Sequence, residues 1–140
     1  MNRAGRKVAL VTGSCGGIGR ALVKKYAAQG LALALADREQ SATESFVSEI
    51  NLKGGEAKSF AGDLTDQSYC DSLPLQVFNQ FGRIDILVNN AGLIRRGKIT
   101  DTSDEDFSSS MAVNVEAPFR LVRAAIPIME KAGGGSIVNT

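Results

Sequence analysis

Apolar and polar positions along this chain fall into alternating blocks of two lengths. "KVALVT" (7–12), "LALALA" (31–36) and "RIDILVN" (83–89) are short, apolar and β-rich, and "AKSFAG" (57–62) is a weaker run of the same kind. In "LALALA" large and small residues fall on opposite faces of an extended chain, the pattern of a strand covered on both sides. Between these runs the apolar residues recur at helical spacing. Ile18, Leu22, Val23 and Tyr26 define a helix over 17–29, with Gly30 at its C-terminal cap. Ala42, Phe46, Val47 and Ile50 define a second over 41–53, stopped by Gly54 and Gly55. Leu73, Val77, Phe78 and Phe81 mark a third over 66–81. Pro74 lies inside it, and a proline in a helix interior costs ~3 kcal/mol, so the spacing predicts a break there or a helix restarting at Pro74. Ser103, with Asp106 three residues on, resembles a capping box and opens a long helix over about 104–131. A fifth strand begins at Ser136 after a run of three glycines.

Five strands separated by four helices imply an α/β fold, a parallel sheet with helices on both faces and right-handed crossovers. No repeat, linker or low-complexity segment divides the chain, so residues 1–140 read as a single domain.

Composition narrows the classes of partner. Sixteen basic and fifteen acidic residues give a net charge of +1, which provides no footprint for nucleic acid or an anionic membrane. Basic residues gather at Arg3, Arg6 and Lys7, but the apolar run after them is too short for a signal peptide. No stretch approaches the roughly 18 apolar residues of a membrane span. These features predict a cytoplasmic protein. Cys15 and Cys70 are the only cysteines; they lack metal-site spacing and are expected as free thiols. Histidine is absent, so the commonest general base and metal ligand is missing.

The candidate chemistry lies where the first strand meets the first helix. In "VTGSCGGIGR" (11–20), Gly13, Gly17 and Gly19 form G-x-x-x-G-x-G, which is neither the strict G-x-G-x-x-G fingerprint nor a P-loop. Its mechanics are still those of a phosphate cradle. Glycines permit a tight turn and close backbone approach, and a helix N-terminus offers free N–H groups to a pyrophosphate. Glycines also serve ordinary turns, so the motif alone is weak. Asp37 strengthens it: it ends the second strand, 24 residues after Gly13 (37 − 13), where a carboxylate accepts from ribose hydroxyls. A plain strand-end aspartate is the competing reading. The same carboxylate repels a 2′-phosphate and favours NAD over NADP, whereas the adjacent Arg38 has the chemistry to clamp that phosphate.

Taken together, "TGSCGGIG" (12–19), Asp37, "GDLTD" (62–66), "NNAG" (89–92), "VNV" (113–115) and "GSIVNT" (135–140) resemble the N-terminal part of a short-chain dehydrogenase/reductase, along essentially the whole chain. The resemblance implies a Rossmann-type sheet in the order 3-2-1-4-5, stopping before the family's last strands. It implies that Gly13, Gly17 and Gly19 line a pyrophosphate with Ser14 and Ile18 beside them. Asp37 would hold the adenosine ribose, and Asp63 and Leu64 the adenine edge. Asn90, Ala91 and Gly92 would run close to the cofactor, with Asn89 bracing the sheet. Asn114 would be the asparagine of the family's Asn-Ser-Tyr-Lys set. Asn114 also shares a helical stripe with Phe107 and Met111, and its bland reading is a buried asparagine satisfied by nearby backbone. Pro118, four residues later, has no N–H for the Asn114 carbonyl, which predicts a kink there. The resemblance gives that carbonyl a partner, a water in the relay to the catalytic lysine.

Tyr26 and Tyr69 are the only tyrosines, and Gly30 and Leu73 stand four residues after them. Neither forms the family's Tyr-x-x-x-Lys, in which the lysine lowers a tyrosine pKa from ~10. Three readings follow. The favoured one is the cofactor-binding part of an oxidoreductase that interconverts an alcohol and a carbonyl compound, inactive by itself. The others are a non-catalytic nucleotide-binding or interaction module and a truncated product that neither binds nor folds well. Substrate identity is not legible. Arg95 and Arg96 suit an anionic substrate or are simply solvated. The helix over 104–131 is apolar nearly all round, which predicts a partner helix or cover by further C-terminal elements; the resemblance implies a homo-oligomer in which this helix packs against its counterpart in a second subunit.

Overall fold

The computed structural model describes residues 5–140; Arg3, in the basic N-terminal cluster, lies outside them. Five strands form one parallel sheet: β1 (Val8–Thr12), β2 (Ala32–Ala36), β3 (Glu56–Ser59), β4 (Ile86–Asn89) and β5 (Ser136–Asn139). Their order is β3-β2-β1-β4-β5, as the family resemblance implies. Helices α1 (Gly17–Ala28), α2 (Gln40–Leu52), α3 (Gln67–Phe81), α4 (Asp104–Met111) and α5 (Ala117–Lys131) make the crossovers.

The alternation in β2 divides the core. Leu33 and Leu35 face one cluster with Val23 of α1 and Phe46 and Ile50 of α2. Ala32, Ala34 and Ala36 face the other, where Leu73 and Val77 of α3 and Leu121 and Ala125 of α5 supply the bulk. Every residue of β1 and β2 is buried, as expected of strands covered on both sides.

Two helices differ from expectation. α3 runs unbroken through Pro74, which is buried beside Cys70, Leu73 and Val77. The ~3 kcal/mol cost of an interior proline is smaller than the burial of these apolar side chains, each contributing roughly 1.5–3 kcal/mol. Asp66 caps this helix by accepting from the Ser68 and Tyr69 amides, and the Ser68 hydroxyl together with those amides holds its carboxyl below the usual range. The long helix expected over 104–131 is divided by a π-helical turn at Ala112–Glu116. There the Ala117 N–H reaches back five residues to the Ala112 carbonyl. Pro118 cannot supply the ordinary bond to Asn114, so the expected kink takes the form of a π-bulge. Ser103 caps α4 as predicted, its hydroxyl accepting from the Asp106 amide at 3.1 Å.

At the opposite end of the sheet from the glycine loop, Asp85 ties the start of β4 to β1. Its carboxylate accepts from the Val8 amide (2.8 Å) and from Arg83 Nε (2.8 Å). Burial pushes this carboxyl up, but Arg83, the Val8 amide and Lys7 together outweigh burial and hold it low.

Candidate functional site

β1 has neighbours on both sides, β2 leading to one edge and β4 to the other. A doubly wound sheet opens a crevice beyond the carboxyl ends of its strands at such a reversal. Here that crevice is a cleft of about 810 Å³, lined by the glycine loop, the end of β2, the 62–65 turn and residues 90–93.

Thr12 holds the floor together. Its hydroxyl accepts from the Asn90 and Ala91 amides, both at 3.1 Å, and donates to the Val88 carbonyl at 3.4 Å. One donation and two acceptances exhaust a hydroxyl, so the ends of β1 and β4 are locked. Asn90 adds to the lock, with Nδ2 3.1 Å from the carbonyls of both Thr12 and Gly13.

The three motif glycines have three different duties. Gly13 turns the chain at φ +60, and a Cβ there would stand 2.8 Å from Ala91 Cα. Gly19 is buried, and its Cβ would strike the Gly13 carbonyl oxygen and sit 2.9 Å from Asn90 Nδ2. Gly17 would meet nothing within 4 Å. Gly17 is therefore not required by the protein's own packing, and it opens directly onto the cleft. It is also the first residue of α1, whose N-cap, Gly16, has no side chain to satisfy the first amides, and no acidic residue stands in the first turn. Free N–H groups and the helix dipole thus point into open space suited to an anion.

Gly13, Gly17, Ile18, Asp37, Arg38, Asp63, Leu64, Asn90, Ala91 and Gly92 all line the cleft. Ile18 is 68% exposed there, an apolar side chain left largely open to the cleft. Asp37 follows β2, its Oδ2 accepting from the Cys15 amide at 2.9 Å and its Oδ1 from the Arg38 amide at 2.8 Å. The carboxylate is held in place, and each oxygen keeps further acceptor capacity. Arg38 pairs with Glu39 at 3.9 Å, and both residues line the cleft. Asp63 closes its own turn by accepting from the Thr65 amide and hydroxyl. Leu64 is anchored by the Cys70 thiol, which donates to its carbonyl at 3.3 Å. Burial pushes that thiol up to about 11, so it stays protonated. Both cysteines are free.

Three expected residues stand behind the cleft or beside it. Ser14 is fully buried and bonds back to the Ala36 carbonyl. Gly19 serves close packing. Asn114 is exposed rather than buried. Its side chain clamps Leu93, accepting from the amide and donating to the carbonyl, both at 2.8 Å. Asn89 is 3% exposed and donates to Asn139 Oδ1 at 2.8 Å, bracing β4 against β5. Arg95 also lines the cleft, with its charge paired to Asp106 at 3.3 Å. Sequence reasoning missed Thr12, whose role needs β4 beside it, and Tyr69, whose role needs the 60–62 segment folded over it.

The fold and cleft define a Rossmann-type α/β protein of the nucleotide-binding class. The family model described as short chain dehydrogenase matches residues 7–140, and the chain belongs to that family of oxidoreductases. It is 42% identical over 133 residues to an uncharacterized oxidoreductase of Thermotoga maritima, covering 95% of this chain and 52% of that protein. It is 38% identical to D-threitol dehydrogenase of Mycolicibacterium smegmatis, covering 95% and 51%. A crystal structure of a metagenomic short-chain oxidoreductase in complex with NADP superposes with a TM-score of 0.89 at 36% identity, over 95% of this chain and 61% of that one. The chain spans about half the length of the curated relatives it matches. Among the described residues no helix is long and apolar enough to cross a membrane.

Proposed function

We propose that the cleft binds the adenosine-diphosphate part of NAD(H), and that these residues form the cofactor-binding part of an oxidoreductase interconverting an alcohol and a ketone or aldehyde. The observation that carries this reading is Gly17: an uncapped helix N-terminus faces open space across a position where a Cβ would meet nothing of the protein but would stand in the way of a ligand. Gly17 and Ile18 would give amides to the pyrophosphate, Asp37 would accept from the ribose hydroxyls, and Asp63 and Leu64 would border the adenine. When bound, the dinucleotide supplies or accepts the hydride. Asp37 disfavours a 2′-phosphate, and the neighbouring Arg38 shares its charge with Glu39, a second carboxylate at the cleft that adds to the repulsion. This preference for NAD differs from the cofactor of the superposed metagenomic enzyme.

Turnover by these 140 residues alone is not expected. Tyr69 donates its hydroxyl to the Phe60 carbonyl, and burial pushes the phenol further up, so it is unsuited to proton transfer. Tyr26 has no lysine four residues on. The substrate is a small alcohol or carbonyl compound, in keeping with the family. Association with a second copy through α4 and α5 is supported by an exposed apolar row in which Phe107 and Phe119 are each 61% exposed. Calorimetric titration with NAD and NADH tests the binding. Saturable one-to-one binding is expected, and heat no greater than dilution for both would contradict the reading.

A further inference from the structure

We infer that Tyr69 is a positioning residue that sets the width and rigidity of the base end of the cleft. The inference rests on the dinucleotide reading above and deepens it. Tyr69 stands in the first turn of α3, yet its ring reaches back over the segment that ends β3. Its hydroxyl donates to the Phe60 carbonyl. A Cβ on Gly62 would collide with the Tyr69 ring, while Gly62 has no positive φ that would itself demand glycine. The absent side chain at 62 and the ring at 69 are therefore two halves of one fit. Gly62 in turn donates its amide to the Asp37 carbonyl at 3.0 Å. The ring thus braces, through one glycine, the wall bearing Asp63 and Leu64 against the strand end bearing Asp37. Gly62, Asp63, Leu64 and Tyr69 all line the cleft at this end.

Removing the ring frees the 60–65 segment, which must then be ordered on binding, and it widens the base end. Dinucleotide affinity should therefore fall, while a larger base should be penalised less than adenine. The probes are NAD and its 1,N6-ethenoadenine analogue, titrated against the 140-residue chain. Tyr69→Ala should weaken NAD about tenfold, the scale of ordering one further residue, and weaken the etheno analogue clearly less. The ratio of the Kd for the etheno analogue to the Kd for NAD should fall in Tyr69→Ala and stay at its original value in Tyr69→Phe, which keeps the ring. Gly62→Ala displaces the ring without deleting it and should shift the ratio in the same direction. In the Tyr69→Ala background, Gly62→Ala should add no further loss, because the two changes remove one contact.

A purely structural role would lower both affinities by one factor or neither, so an unchanged ratio in Tyr69→Ala overturns the inference. If Tyr69→Ala does not fold, Gly62→Ala decides it by the same ratio. Binding of NAD by the unaltered chain with no ratio change in the variants sinks this inference and spares the proposed function. No binding by the unaltered chain sinks both.

Discussion

Gly17 and Gly19 are two residues apart in one motif, and replacing each by alanine should have opposite effects. At Gly19 the new methyl group would overlap the Gly13 carbonyl oxygen and crowd Asn90 Nδ2 at 2.9 Å. Both are parts of the lock between β1 and β4, so neither can give way cheaply. Overpacking of this kind costs about 1–3 kcal/mol, which lowers Tm by roughly 2–12 °C for a chain of this size. At Gly17 the methyl group meets nothing. Alanine is the better helix former by up to about 1 kcal/mol, so Tm should hold or rise by up to ~4 °C. Binding should reverse the order of merit. The methyl group at 17 blocks approach to the helix amides, and losing one charge-assisted hydrogen bond of ~1.5–3 kcal/mol weakens the dinucleotide by roughly 10- to 150-fold. Thermal unfolding followed by circular dichroism, beside NADH titration of the same preparations, reads both quantities. A Gly17→Ala variant that binds NADH as the unaltered chain does would refute the placement of the pyrophosphate at this helix.

Asp85 should make stability sensitive to acid. Its folded carboxyl is held below the unfolded value, so its contribution is complete above about pH 4 and is lost as pH falls through the lowered folded value; Asp85→Ala should flatten that part of a Tm-against-pH curve and cost about 1–3 kcal/mol by stranding the Val8 amide. The β5 strand pairs only with β4 among the described residues and leaves Val138 43% exposed. The 140-residue chain should therefore self-associate in light scattering and exchange its Ile137 and Val138 amides early, whereas a monodisperse monomer with both amides protected would contradict this. The same chain should show no NAD-linked oxidation of alcohols or reduction of ketones; turnover abolished by Asn114→Ala would overturn the account of Tyr26 and Tyr69.

The periodicities made most of the architecture legible because each element carries its own instruction. Leucine and alanine in β2 alternate faces within the strand itself, and the structure sends them to different cores. The glycine loop was legible for the same reason, since strand, turn and helix are contiguous. What escaped depended on partners distant in sequence. Pro74 reads as a helix breaker locally, yet Leu73 and Val77 are sealed in the core shared with α5 and carry the helix through. Pro118 announced an irregularity at Asn114, but not that it would be a π-bulge. Thr12 and Tyr69 act on residues 88–91 and 60–62 respectively, so nothing adjacent to them marks their roles.

The central claim is that Asp37 receives the adenosine ribose of NAD(H) in this cleft. Its most direct test is the ratio of Kd for NADPH to Kd for NADH, measured for the unaltered chain and for Asp37→Ala. The account predicts a ratio well above one in the unaltered chain. In Asp37→Ala, NADH should bind about 1–3 kcal/mol more weakly through loss of the ribose acceptor, while NADPH holds or improves, so the ratio collapses. Tighter binding of NADPH by the unaltered chain, or a ratio that Asp37→Ala leaves unchanged, would contradict it.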